Sequence, residues 1–198
     1  SWRFCSIHVA QIAQIAGLDI EISRRRNTLT KIFSEEMERN KNASFSEIFE
    51  LYLFECTFTF LNRIAAVRAM EERLPNFKKR LKSYNESINA TSADGFLIFN
   101  TICRELCADE YTAYKFLLKM TFRDLSHEIG LLFDDNEYSV LFPGQNALKK
   151  IITIVTDELS ADYWKTDDII GWIYQYFVDG TEDQEQKGQY YTPRWVVD

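Results

Sequence analysis

The chain has 198 residues, of which 46% are hydrophobic and 15% are aromatic, so it is long and apolar enough to bury a core of its own. Its net charge of −7 excludes a DNA-binding face over the whole surface, because phosphate contacts need Lys and Arg along the nucleic-acid backbone. No apolar run approaches the roughly 18 residues that a membrane span needs, which argues against a membrane protein.

Turn-forming residues are scarce, with only 7 Gly and 3 Pro, and long segments of helical periodicity dominate. We therefore predict an all-α fold, an irregular bundle of seven or eight helices. The 4 cysteines and the lack of a secretory leader predict reduced thiols and a cytoplasmic location. Cys103, Cys107 and His127 could pass for metal ligands, but a fourth ligand is not evident, so no metal site is predicted.

Two amphipathic segments open the chain. A stripe at spacings of three and four predicts a first helix, with Trp2, Cys5, Val9, Ile12 and Ala16 on one face. A second helix is predicted from about Asp19 to Arg39. It places Leu29, Phe33 and Met37 on one face and leaves its three consecutive arginines in solvent.

A long helix from Ser44 to Arg73 is predicted to lie at the centre of the bundle. Ser44 with Glu47 three residues later forms a capping-box pattern, and Pro75 ends the helix. Its middle, LYLFECTFTFL, is apolar on every side, which is typical of a fully buried helix. The polar residues that follow, Asn62, Arg63 and Arg68, therefore each need an acidic or carbonyl partner, and we favour ion pairs between helices.

A basic segment follows this helix and is the best candidate for a contact with the DNA backbone. The candidate DNA-contacting residues are Lys78, Lys79, Arg80 and Lys82, with Arg73 close by. The alternative is a solvated helix end, because charge runs without interleaved aromatic residues are weak evidence for nucleic-acid binding.

Further amphipathic helices are marked by apolar residues at helical spacing. One carries Phe96 to Leu106, the next runs from Tyr114 to Leu132, and another from Leu148 to Leu159. An irregular connection separates the last two. A final helix carries Ile169, Ile170, Ile173 and Phe177 on its inward face, and the polar residues 181–188 follow as a linker.

The last residues, GQYYTPRWVVD, carry the most specific local signal. Thr192 before Pro193 is typical of a helix start, with a hydroxyl at the N-cap and proline at the first helical position. Such a start presents free backbone N–H groups to Tyr190 and Tyr191, which would suit a ligand with a flat base and a charged group. In the alternative reading, Thr192 only caps its own helix and the tyrosines pack.

Three stretches in this order resemble adenine-specific DNA methyltransferases of restriction-modification and BREX phage-exclusion systems: FLNRIAAVRAMEERLP, IIGWIYQYFVDG and GQYYTPRWVVD. They cover about a quarter of the chain. The resemblance implies that Tyr190, Tyr191, Thr192 and Pro193 contact S-adenosylmethionine. The glycine-rich cofactor loop and the Asn-Pro-Pro-aromatic catalytic motif of that family are absent from these residues, so no catalytic residue is assigned.

The resemblance implies a helical N-terminal domain over residues 1–180, a linker over 181–188 and the start of an α/β methyltransferase domain over 189–198. We expect a fragment of a longer enzyme that is inactive and binds no S-adenosylmethionine by itself. The implied partners are double-stranded DNA, the enzyme's own catalytic domain and other restriction or phage-defence subunits. The competing hypothesis is a helical adaptor that binds a partner protein.

Overall fold

The computed structural model describes residues 23–81, 109–166 and 169–178. These residues form seven α-helices and no strand, which confirms the predicted all-α fold. The helices are α1 over residues 23–39, α2 (Phe45–Arg73), α3 (Glu110–Ser126), α4 (Gly130–Phe133), α5 (Gln145–Thr153), α6 (Ala161–Trp164) and α7 (Ile169–Val178). The first predicted helix, the helix from Phe96 to Leu106, the linker and the final segment fall outside the described residues.

The start of α2 is fixed by the predicted capping box. The Ser44 N–H donates to Glu47 Oε2 at 2.7 Å, and the Glu47 N–H donates to Ser44 Oγ at 3.3 Å. These contacts satisfy amide groups that have no partner inside the helix. The hydrogen bond from the Ser44 backbone lowers the pKa of Glu47. The helix ends at Arg73, two residues before Pro75, as the sequence predicts.

The central position predicted for all of α2 is correct only for its second half. Ile64, Ala65 and Val67 are fully buried. In the first half, Leu51 is 56% exposed, because burial there follows a single stripe at a spacing of four: Tyr52, Cys56 and Phe60. An apolar composition on all sides therefore did not indicate burial on all sides.

The chain divides into two compact units. Unit 1 holds the described residues up to Cys56 together with Asn136–Leu141. Its core is formed by Ile32, Tyr52 and Cys56. The hydroxyl of Tyr52 donates to the Glu137 carbonyl at 2.8 Å. Cys56 is a free cysteine that is buried in this core.

Unit 2 holds the rest of the described residues, from Thr57 to Asp135 and from Phe142 onward. Its core combines the second half of α2 with side chains from α3, α4, α5 and α6. The largest fully buried side chains there are those of Trp164, Tyr114, Phe133, Ile64, Leu118, Leu148 and Ile152. Ile169 and Ile173 of α7 pack against this core.

The helix predicted from Tyr114 to Leu132 is interrupted. The amides of Glu128 and Ile129 both donate to the Leu125 carbonyl, which closes a turn after Ser126, and α4 begins at Gly130. Glycine is a poor helix former, so a break beside it is favoured. The helix predicted from Leu148 to Leu159 also changes form, because Ile154–Glu158 is a π-helix. Within the described ranges, no helix is long and apolar enough to cross a membrane.

Candidate functional site

The predicted cofactor-binding residues Tyr190, Tyr191, Thr192 and Pro193 lie outside the described residues. The nearest described element is α7, which precedes them in the chain. Ile170 was expected to face inward, but it is 38% exposed, and Trp172 is 47% exposed. Apolar residues of α7 lie on more than the one face that packs on the core. The spacing of apolar residues therefore could not indicate which side of the helix is buried.

The predicted DNA-contact residues follow α2 in a stretch without helical structure. We call residues 74–81 the basic segment. Its Lys78 and Lys79 side chains are exposed, whereas Arg80 is half-buried and Leu81 is buried. Lys82, the fourth candidate, lies beyond the described range. The segment therefore presents two exposed ammonium groups side by side in the chain.

Beneath the basic segment, the last turns of α2 hold a buried ionic network. The guanidinium of Arg68 lies 2.5 Å from Glu72 Oε1 and 3.4 Å from Glu71 Oε2. The Arg68 side chain is 8% exposed and that of Glu71 is 0% exposed. Sequence reasoning expected Arg68 to pair with another helix, but its acidic partners lie three and four residues later on its own helix, which is the ordinary spacing of a helical pair.

Glu71 connects this network to the basic segment. Its Oε1 accepts hydrogen bonds from the backbone amides of Arg80, at 2.5 Å, and Leu81, at 2.8 Å. Burial raises the pKa of Glu71, while the two backbone amides and Arg68 oppose that shift. A single carboxylate thus joins the end of a long helix to the backbone of the segment that carries the lysines.

A cleft of about 350 Å³ lies between the helix end and the basic segment. Glu71 and Glu72 line it from the helix, and Lys78 and Lys79 line it from the segment. The Nζ of Lys79 is 4.0 Å from Glu72 Oε1. Exposed ammonium groups of this kind can contact phosphate oxygens, and the acidic groups are held on the protein side.

Arg73 does not act as a free cation of this region. Its Nε donates to the Trp164 carbonyl at 2.9 Å, and its Nη2 donates to the Thr166 carbonyl. These bonds tie the end of α2 to the chain just before α7. The sequence groups Arg73 with the basic residues, since nothing in the local pattern indicates backbone acceptors 91 and 93 residues away.

The metal site considered for Cys103, Cys107 and His127 has its two cysteines outside the described ranges. In the part of the chain that the structure describes, no three His, Cys, Asp or Glu side chains are grouped so that they could hold a metal ion.

Two known proteins are similar to this chain. One is the adenine-specific methyltransferase BrxX of Escherichia coli O9:H4 (strain HS), 25% identical over 176 residues, which are 75% of this chain and 15% of that protein. The other is the adenine-specific methyltransferase PglX of Lacticaseibacillus casei (strain Zhang), 25% identical over 220 residues, which are 92% of this chain and 18% of that protein.

No protein-family profile matches the chain, and no solved structure matches it significantly. The chain spans less than a fifth of the length of the two relatives. The resemblance inferred from the three sequence stretches is confirmed: the chain is similar to part of two adenine-specific methyltransferases.

Proposed function

We propose that the chain is the N-terminal helical domain of a site-specific DNA adenine methyltransferase that uses S-adenosylmethionine, and that it braces the catalytic domain. The observation that carries this proposal is the similarity to two proteins of the same named activity over three quarters or more of the chain. The all-α fold of the described residues is compatible with this role.

The parent gene offers a direct test. The reading frame beyond Asp198 should encode a glycine-rich loop and an Asn-Pro-Pro-aromatic motif. DNA from cells that express the parent protein should then contain N6-methyladenine at one sequence motif, as read by single-molecule sequencing. A stop codon shortly after Asp198, with unmodified DNA, would instead favour a helical adaptor that binds a partner protein.

The cofactor is proposed to contact Tyr190, Tyr191, Thr192 and Pro193. Replacing Thr192 with alanine in the parent enzyme should weaken S-adenosylmethionine binding by about tenfold, because the hydroxyl that is predicted to cap a helix start is lost while the fold is expected to stay unchanged. Isothermal titration calorimetry of the parent enzyme measures this affinity. Thr181→Ala, in the polar linker, is the matched control and should bind as the unmodified enzyme does.

The isolated chain of 198 residues should give no calorimetric signal with S-adenosylmethionine up to about 1 mM, a concentration that corresponds to roughly 4 kcal/mol of binding free energy. Part of a pocket cannot enclose a flexible ligand well enough to offset its lost freedom. Micromolar binding to this chain, or an unchanged affinity in the Thr192→Ala enzyme, would contradict the assignment of the cofactor residues.

The basic segment, together with Lys82 directly after it, is proposed to contact the DNA backbone without reading its sequence. Changing Lys78, Lys79 and Lys82 to glutamate in the parent enzyme should weaken binding to all duplexes and flatten its salt dependence. The magnitude of the negative slope of log K against log salt should decrease by about one for each lysine that contacts a phosphate, since each contact releases counterions. Fluorescence anisotropy at several salt concentrations measures both quantities.

The control for this change reverses three exposed lysines elsewhere, Lys31, Lys41 and Lys150, and so alters the net charge equally. The control enzyme should retain the slope of the unmodified enzyme. An equal loss in both variants would show an effect of net charge alone and would remove the basic segment from the DNA interface.

A further inference from the structure

We propose that Glu71 is a positioning residue that holds the basic segment in the conformation in which Lys78 and Lys79 meet DNA. This inference rests on the proposed contact between the basic segment and the DNA backbone. It assigns to a buried carboxylate a role that its charge alone would not suggest.

Glu71 lies in an unfavourable place for a carboxylate. It is in the last turn of α2, where the negative end of the helix dipole disfavours a negative charge. Its side chain is also 0% exposed, and a buried charge is costly unless it is paired and hydrogen-bonded. Arg68 supplies the charge partner at 3.4 Å. A carboxylate in so unfavourable a place needs contacts that make up for the cost.

Those contacts are with the basic segment. Glu71 accepts hydrogen bonds from the backbone amides of Arg80 and Leu81, which come directly after Lys78 and Lys79 in the chain. Leu81 is also buried in the core of unit 2, which fixes the same end of the segment by packing. The two lysines therefore lie between the end of α2 and the anchored amides of Arg80 and Leu81. The stretch between these two fixed points is six residues long, from Leu74 to Lys79.

Whether removal of Glu71 strengthens or weakens DNA binding distinguishes a positioning role from a purely electrostatic one. Glu71 carries a negative charge on the protein side of the cleft that the lysines line. If only charge mattered, removing it would strengthen binding to DNA. If Glu71 positions the segment, removing its acceptor oxygens weakens binding, because the released lysines lose entropy on contact with the phosphates.

Two substitutions distinguish these cases because they change the charge equally. Glu71→Gln retains a carbonyl oxygen that can accept hydrogen bonds from the amides of Arg80 and Leu81. Glu71→Met retains the length of the side chain and a good helix former, but it has no acceptor oxygen. Both variants are made in the full-length parent enzyme, and their binding to a random-sequence duplex is measured by fluorescence anisotropy over a series of salt concentrations.

We expect Glu71→Met to weaken binding and to lower the salt slope by about two, one for each displaced lysine, and Glu71→Gln to remain close to the unmodified enzyme. The triple variant Glu71→Met, Lys78→Gln and Lys79→Gln should bind DNA no more weakly than the double lysine variant, because the segment then lacks the cations that Glu71 positions. Stronger binding in both Glu71 variants, or no change in either, would overturn the inference.

The lysine variants separate this inference from the proposed function. If Lys78→Gln with Lys79→Gln leaves binding unchanged, the basic segment does not contact DNA, and the proposed contact and the inference both fail. If the lysine variant weakens binding and Glu71→Met does not, only the positioning role fails.

Hydrogen exchange of the unmodified parent enzyme keeps the inference testable if Glu71→Met does not fold. The amides of Arg80 and Leu81 should exchange more slowly than those of Lys78 and Lys79, and Glu71→Gln should keep that difference. Equal exchange across the four amides would show that Glu71 anchors nothing and would overturn the proposal.

Discussion

Replacing Arg63 with methionine is expected to lower the free energy of unfolding by about 2 to 3 kcal/mol. Arg63 is only 4% exposed, although it carries a charge. Its Nε donates to the Leu132 carbonyl at 3.0 Å, and its Nη2 donates to the Asp134 carbonyl at 2.6 Å. Burial lowers the pKa of Arg63, and Asp135 and Asp134 oppose that shift.

The two carbonyls belong to the end of α4, a helix of 4 residues. The last carbonyl groups of a helix accept no hydrogen bond from within the helix, so they need donors from elsewhere. A cation near them is also stabilised by the negative end of the helix dipole. Methionine fills much of the space of Arg63 but donates no hydrogen bond, so the loss measures these two bonds. The guanidinium also lies 5.7 Å from the centre of the Phe122 ring, a contact that methionine replaces in part.

Urea unfolding of the 198-residue chain, followed by circular dichroism, provides the measurement. Arg63→Lys should lose less than Arg63→Met, because lysine keeps the charge but reaches the carbonyls with a single ammonium group. The exposed Arg123→Met is the matched control and should change stability by no more than about 0.5 kcal/mol. Equal losses at Arg63 and Arg123 would refute the assignment of Arg63 as a cap of α4.

Local sequence signals predicted element boundaries well. Ser44, Glu47 and Pro75 specify the two ends of α2 because a cap and a stop act within one turn of the chain. Boundaries that depend on tertiary contacts were missed. The break after Ser126 and the π-helix from Ile154 interrupt segments whose apolar spacing continues without change.

Burial and polar partners were predicted less well, since both depend on residues far away in sequence. The need of Arg63 for a carbonyl or acidic partner was correctly inferred, but the favoured ion pair between helices was not: both hydrogen-bond acceptors are backbone carbonyls, 69 and 71 residues later. Arg68 found its partners on its own helix and not on another one. A sequence states that a buried charge needs a partner, and only the fold decides which one.

The candidate site shows the same division. The exposed Lys78 and Lys79 were found from the charge run, whereas Glu71 was not, because an acidic residue in a helix is ordinarily solvated. Its two amide contacts, 9 and 10 residues later, depend on how the basic segment turns back. The predicted cofactor residues Tyr190 to Pro193 lie outside the described residues, so that assignment stays a prediction.

The stretch from Phe60 to Pro75, which carries part of the family resemblance, also has a common structural role. Arg63 holds the end of α4, Glu71 holds the basic segment, and Arg73 holds the chain before α7. Each uses side-chain atoms to bind the backbone of another segment. Polar residues in this helix therefore organise the surrounding chain.

Truncating Trp164 to alanine is expected to lower the free energy of unfolding by about 3 to 5 kcal/mol, the largest loss for any single side chain considered. Trp164 is 1% exposed in the core of unit 2, and it ends the short helix α6. Its backbone carbonyl accepts the Arg73 Nε bond, so its position also determines where the chain enters α7. Urea unfolding of the 198-residue chain measures the loss.

A phenylalanine at the same position distinguishes packing from hydrogen bonding. The indole Nε1 of Trp164 is buried and has no hydrogen-bond partner within the described part of the chain. Trp164→Phe therefore removes no hydrogen bond to any residue that the structure describes, and it should lose only about 1 to 2 kcal/mol, from the smaller ring. The neighbouring Tyr163→Ala, at a residue that is 59% exposed, is the control and should lose no more than about 0.5 kcal/mol. A Trp164→Phe loss as large as that of Trp164→Ala would contradict this account, since it would show that the indole N–H makes a stabilising contact.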